Sequence, residues 1–346
     1  MPPTDFLKTR ELFHLPQGII YLDGNSLGPL PKAAEARVAQ TMAAEWGELL
    51  IKAWNEAGWM DQPQRIGDRI GRLIGAPPGS VTMGDTLSIK VYQALAAALE
   101  MNPGRRTILS DRGNFPSDLY MAEGLITSLD KGHRLKLVEP EGVEDAIDDQ
   151  VAVLMLTEVD YRTGRLHDMA ALTQKAQAHG VITLWDLAHS AGALPVDLTG
   201  AKADFAVGCT YKYLNGGPGA PAFIYVAPRW ADEVRPALSG WLGHAAPFSF
   251  DLDYRPGPGV ERLRVGTPSI IAFSALEAAL DVWESVEMEN LRARSIQLSE
   301  LFIRLVEQHC PDLILASPRD SARRGSQISF CHENGYAVMQ ALIDRG

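Results

Sequence analysis

Between Val181 and Val226 two apolar, β-rich runs each end in a charged side chain, and this pattern limits the possible folds more than any other stretch. The first run, Val181–Trp185, stops at Asp186, with His189 shortly after it. The second, Phe205–Cys209, stops at Thr210, Tyr211 and Lys212 and opens into the glycine-rich loop Asn215–Gly219. Short continuous apolar runs bounded by turn residues suit strands buried on both faces. The chain between the two is long enough for one crossover between parallel strands. In an open α/β sheet, ligands sit outside the carboxyl ends of the strands. Asp186 and Lys212 are therefore expected to face one crevice.

The rest of the chain supports such a sheet. Strand-like runs at Val81–Met83, Thr107–Ser110, Leu135–Val138, Val151–Leu156 and Ala222–Val226 bring the expected total to seven. Helical spacing of apolar residues separates most of them, as in Leu87–Leu99 and Ala170–Ala178, and alternating strands and helices predict an α/β sheet that is mostly parallel. Upstream, Ile19–Leu22 reads as a short strand, Lys32 to about Trp54 as a long helix, and Ile66–Ile74 as a shorter one. Either Asp85 or Thr86 can cap the helix that starts at Leu87. A Pro/Gly-rich irregular stretch fills 227–269, long enough to be a functional loop or an interface. Helical periodicity returns from Pro268 to His309 with a break expected at Glu287–Asn290; a short strand at Ile328–Phe330 and a helix at Tyr336–Ile343 follow. The expected division is an N-terminal segment and helix over 1–55, a large α/β domain over 56–267, and a smaller α+β domain over 268–346.

Charge and cysteine usage exclude several classes. A net charge of −11 argues against nucleic acid and anionic membranes as partners. The scattered Cys209, Cys310 and Cys331 offer neither a disulfide framework nor a metal site. The charged start and the lack of a long apolar run predict a cytoplasmic protein without a membrane span.

Taken singly, Asp186 is a turn-capping acid and Lys212 a solvated cation. Together they match the needs of pyridoxal 5'-phosphate (PLP), which is carried on a lysine while an acid keeps its ring nitrogen protonated. The turn Gly84–Ser88, lying between a strand and a helix start, is where free backbone N–H groups would favour the phosphate.

Six segments then resemble one family in sequence order: YLDGNSLG at Tyr21–Gly28, NFPSD at Asn114–Asp118, DLAHSAG at Asp186–Gly192, YKYLNGGPG at Tyr211–Gly219, GWLGH at Gly240–His244 and LRVGTPSI at Leu263–Ile270. They are similar to kynureninase, a fold type I PLP enzyme. The resemblance implies hydrolysis of L-kynurenine to anthranilate and L-alanine, a carbon–carbon bond cleavage in a ketone belonging to tryptophan catabolism. It also implies Lys212 as the Schiff-base lysine and Asp186 as the partner of the pyridine nitrogen. By the same resemblance, His189 neighbours the ring, Phe115 stacks over it with Asp118 nearby, Leu87 and Ser88 stand at the phosphate end, and Thr157 is a small hydroxyl residue of the site. Tyr211 and Trp241 match phosphate-contacting positions, and Thr267 stands where some members have asparagine. Tyr211 is also the implied acid/base of the later steps, for which its pKa would have to fall from about 10. Members of this fold commonly work as dimers with the site between subunits, and the 227–269 loop fits that role, so a homodimer is expected. The family normally carries a substrate-carboxylate arginine past the position of Gly346. Two alternatives remain: a cysteine desulfurase-like PLP lyase, which needs a reactive cysteine over the cofactor, and a catalytically impaired PLP-binding homologue.

Overall fold

The computed structural model describes residues 4–346. Seven strands form one sheet: β1 (Val81–Met83), β2 (Thr107–Asp111), β3 (Arg134–Val138), β4 (Val151–Thr157), β5 (Ile182–Asp186), β6 (Phe205–Gly208) and β7 (Phe223–Val226). Their order across the sheet is β1-β7-β6-β5-β4-β2-β3. The run from β6 to β3 is parallel, and β7 is the one strand that runs against its neighbours. A seven-stranded, mostly parallel α/β sheet is thus what the apolar runs predicted.

Alternate residues of each strand feed two apolar layers. On one face Trp185, Ala206, Phe223 and Tyr225 pack with Ile66 and Ile70 of helix Gln62–Leu73 and with Leu172 and Ala176 of helix Met169–Ala178. On the other, Leu184, Phe205, Val207 and Ile224 pack with Val91 and Leu95 of helix Leu87–Met101 and with Ala122 and Leu125 of helix Pro116–Leu129. Full burial of one such side chain stabilises the fold by roughly 1.5–3 kcal/mol. These layers fix where each strand ends, and so where the charged groups emerge.

The flanking elements depart from the sequence expectation in places. Ile19–Leu22 is extended but pairs with no strand; Ile20 and Leu22 are exposed, and the Ile20 N–H donates to the Gly346 carbonyl at 2.7 Å. The long helix from Lys32 is α-helical only to Gln40, then widens to π turns over Thr41–Leu49. There the Arg37 guanidinium reaches Thr41 Oγ1 at 2.6 Å and Glu45 Oε1 at 2.7 Å on one face of the widened segment. The C-terminal break falls earlier than predicted, at the 3-10 turn Asp281–Ser285, because Arg69 holds the Asp281 carboxylate at 2.7 Å and Val282 is buried. Before that break, helix Ile270–Leu280 stays on the sheet, burying Phe273, Leu276 and Leu280 in the same layer as Ile66. Beyond it come the long helix Met288–His309, a two-stranded ribbon of β8 (Ile314–Leu315) and β9 (Phe330–Cys331), and helix Gly335–Ile343. No helix among the described residues is long and apolar enough to cross a membrane.

Candidate active site

The register of the parallel strands sets Thr157 at the end of β4 directly beside Asp186 at the end of β5. The chain leaving β6 runs through Thr210 and Tyr211 to Lys212, so the lysine returns over the same sheet edge. These ends, together with Leu87, Ser88, Phe115 and His189, line a cavity of about 150 Å³. The sequence pattern thus converges in space as expected.

Each wall has a local cause. Asp85 takes a left-handed φ of 54° and pairs with the buried Lys90 at 3.2 Å instead of capping the helix. Thr86 occupies the N-cap position without a side-chain cap bond, so the first-turn N–H groups of Leu87–Met101 face the cavity end uncapped. Uncapped amides at the positive end of a helix dipole favour an anion. Phe115 precedes helix Pro116–Leu129; its ring meets Tyr161 edge-on at 5.0 Å and lies 5.6 Å from Lys212 Nζ. Thr157 Oγ1 donates to Asn114 Oδ1 at 2.6 Å, which ties β4 to the Phe115 segment.

The N-terminal motif docks on the lysine loop. Gly28 N–H donates to the Tyr211 carbonyl at 2.8 Å. A Cβ at Gly28 would stand 2.2 Å from the Lys212 carbonyl oxygen, so only glycine allows this approach. A second cavity, of about 270 Å³, lies between Gly28, Lys212, Tyr213 and Trp283.

The electrostatics are dominated by burial. One Asp186 oxygen accepts from the Ala188 N–H at 2.8 Å, and the Lys212 ammonium favours the charged form, although burial holds the carboxyl above its ordinary range. Asp118 is pushed well higher, by burial and by the neighbouring Asp186 carboxylate. No protein N–H or hydroxyl donates to its two oxygens, and Asp118 is the member of the pair that keeps a proton, which its carboxyl can donate to the Asp186 carboxylate. His189 is lowered to about 4, by burial and then by Lys212, and is neutral at pH 7. Glu158, wholly buried behind Thr157, is raised by burial to about 7. Tyr211 moves opposite to the sequence expectation: burial and then the nearby Cys209 push it up to about 12, so its hydroxyl keeps its proton.

Three predicted residues do not line the cavity: Asp118 is buried beside Asp186 without reaching the lining, and Trp241 and Thr267 lie away from it. Trp241 is 46% exposed, donates to the Pro247 carbonyl, and stacks on Phe250. Thr267 is exposed as well. His244 also stays within its loop, with Nδ1 accepting from the Ala246 N–H and Nε2 near the Asp253 carbonyl. Conversely, the sequence reading missed Tyr161, Asn114 and Gln327. The first two lie inside or near motifs already singled out. Gln327 reaches His189 Nδ1 at 2.9 Å from a remote segment that carries no local signal.

The donor set fits PLP: a buried amine, a carboxylate with a buried partner, an aromatic face and an uncapped helix start surround one space. Among the described residues no cluster of potential metal ligands occurs. The cysteines do not supply a desulfurase nucleophile. Cys209 is buried, and burial pushes its thiol up to about 11; Cys310 and Cys331 are exposed and outside the cavity lining.

Comparisons with known proteins identify the family and the fold. The family model for the kynureninase C-terminal domain matches residues 291–346. The kynureninase of Burkholderia pseudomallei strain 1106a is 52% identical over 344 residues, covering 97% of this chain and 83% of that protein. The Pseudomonas fluorescens kynureninase is 51% identical over the same shares. Among solved structures, a cysteine desulfurase from Thermococcus onnurineus NA1 superposes with a TM-score of 0.81 at 19% identity, over 98% of this chain and 85% of that one. The lyase C-DES, in a mutant with glycine covalently linked to its PLP cofactor, superposes with a TM-score of 0.78 at 17% identity, over 93% and 86%. At that identity the superpositions establish the fold, that of fold type I PLP enzymes.

Proposed function

This chain belongs to the kynureninase family, and we propose that the cavity between Phe115 and Asp186 is where it hydrolyses L-kynurenine to anthranilate and L-alanine with PLP. The observation that carries this placement is the convergence of the Lys212 amine and the Asp186 carboxylate at adjacent strand ends in one cavity.

When bound, PLP supplies an electron sink for the negative charge that develops on the substrate carbon. In our reading the chain's residues divide the remaining work. Lys212 carries the cofactor and afterwards moves a proton at Nζ. Asp186 holds the proton of the ring nitrogen, and Asp118, kept protonated by burial, leaves the negative charge on Asp186. Phe115 covers the ring face, as an aromatic surface suits. The first-turn amides of Leu87 and Ser88 receive the phosphate, with Thr157 at the β4 end of the same space. Tyr211 acts as a hydrogen-bond donor rather than as a base, because its hydroxyl stays protonated.

Trp241 and Thr267 enter the site, on this reading, from a second copy. An exposed aromatic group of Trp241, Phe248 and Phe250 supports a homodimer built on the 227–269 loop. The division into 1–55, 56–267 and 268–346 stands as a proposal in which helix Ile270–Leu280 ties the last unit to the sheet. A cytoplasmic location is likewise a proposal, supported by the acidic charge and the free cysteines. The direct test is release of fluorescent anthranilate from L-kynurenine by the PLP-loaded chain. A rising signal supports the reading; a PLP-bound chain that leaves kynurenine intact contradicts it.

A further inference from the structure

We propose that Gln327 is a positioning residue that fixes the ring proton of His189 on Nδ1 and so turns Nε2 toward the Lys212 amine. The inference rests on Lys212 being the working amine of the site. Two hydrogen bonds define it: His189 Nδ1 to Gln327 Oε1 at 2.9 Å, and His189 Nε2 to Lys212 Nζ at 2.9 Å.

The orientation of the Gln327 amide follows from its other neighbours. Its nitrogen lies 2.6 Å from the Tyr161 carbonyl oxygen and 3.4 Å from that of Asp160. Carbonyl oxygens only accept, so the amide nitrogen must face them and the amide oxygen must face His189. That oxygen can only accept, which requires a hydrogen on Nδ1. At the far side, a lysine ammonium has donors alone, which requires a lone pair on Nε2. Both ends of the chain of bonds select the same tautomer of a neutral ring. The low pKa of His189, about 4, agrees with a ring that is neutral at pH 7.

Gln327 is itself held by backbone fit. A Cβ at Gly164 would stand 2.8 Å from the Gln327 carbonyl oxygen, and one at Gly325 would stand 2.7 Å from Val159 Cγ1. The Gly325 N–H donates to the Gly164 carbonyl at 2.7 Å, so the two segments meet without side-chain spacers. On the other side, Arg292 of helix Met288–His309 binds the carbonyls of Arg324 at 2.7 Å and Gly325 at 3.1 Å. A shift of the C-terminal elements against the sheet would thus be felt at Lys212 through two hydrogen bonds.

The test is nitrogen NMR of the full chain labelled at histidine, with and without PLP, the His189 signals being assigned by their loss in His189→Gln. The expected pattern is a protonated Nδ1 in both forms of the unaltered chain. Gln327→Met, similar in size but without the amide, should lose that preference. Its kcat should fall about tenfold to a hundredfold, by analogy with the loss of a hydrogen-bond partner that orients a metal-ligating histidine, with KM changing less. Gln327→Glu retains an acceptor oxygen and should retain the Nδ1 proton. An unprotonated Nδ1 in the unaltered chain overturns the proposal, and so does an unaltered pattern in Gln327→Met. Since the unaltered chain alone can overturn it, the result does not depend on a variant that folds. A wrong substrate would leave the nitrogen pattern intact and appear only as missing anthranilate.

Discussion

The sheet edge and the 227–269 loop were assigned residues of the same site, yet the chain treats them differently. At the sheet edge Asp186, Thr157 and Lys212 are buried, the first two held in register by paired strands and Lys212 carried on the turn that leaves β6. On the loop, Trp241 stacks on Phe250 and Phe248 meets both edge-on at the surface, with Trp241 46%, Phe248 61% and Phe250 72% exposed. Two packed layers fix the first group within one chain. The second packs mainly on itself and leaves much of its apolar surface exposed. Strand ends place chemistry from inside the fold, whereas the exposed loop aromatics are placed by no buried layer of this chain.

Substitutions can break or sharpen that contrast. The largest effect is expected for Lys212→Ala, which should abolish anthranilate release while circular dichroism stays unchanged. Asp186→Asn should retain folding but lower turnover by about 10²–10³-fold, the range for loss of one preorganised electrostatic group, measured as kcat on L-kynurenine.

Glu158 probes the cost of the buried edge itself. Its folded pKa, about 7, lies above the unfolded value near 4.5. The folded state therefore binds the proton more tightly, so this group's contribution is fully present below pH 4.5 and is lost as pH rises through 7. Glu158→Gln should remove that loss and gain about 3 kcal/mol at pH 8, with little gain at pH 4. Thermal melts of the cofactor-free chain at the two values measure it; equal changes at both would show that Glu158 titrates normally. The smallest effect on stability is expected at the loop, where Trp241→Ala should change folding by no more than about 0.5 kcal/mol. If a second copy completes the site, the same variant should lose specific activity on dilution, with sedimentation showing weaker association. Full activity at every concentration would place Trp241 outside the reaction.

The sequence made the sheet edge legible because strands advertise themselves locally. Apolar runs such as Val151–Leu156 and Phe205–Cys209 are continuous, and a charge just past each one marks its carboxyl end. Ile19–Leu22 has the same apolar signature but finds no partner strand, and strand pairing is a property of two segments. Gln327 was invisible for a related reason: its role depends on Gly164 and Gly325 allowing two distant backbones to touch. The acid/base role implied for Tyr211 calls for a lowered pKa, and nothing local in the sequence shows the burial that raises it instead. Asp118 shows the reverse case: its place in a motif marked it, but its raised pKa needed the Asp186 carboxylate beside it.

The most direct test of the account is to load the chain with PLP, reduce it with borohydride, digest it and locate the pyridoxyl group by mass spectrometry. The account predicts one modified peptide, the one that carries Lys212. A label on any other lysine, or none in a chain that turns over kynurenine, would contradict it.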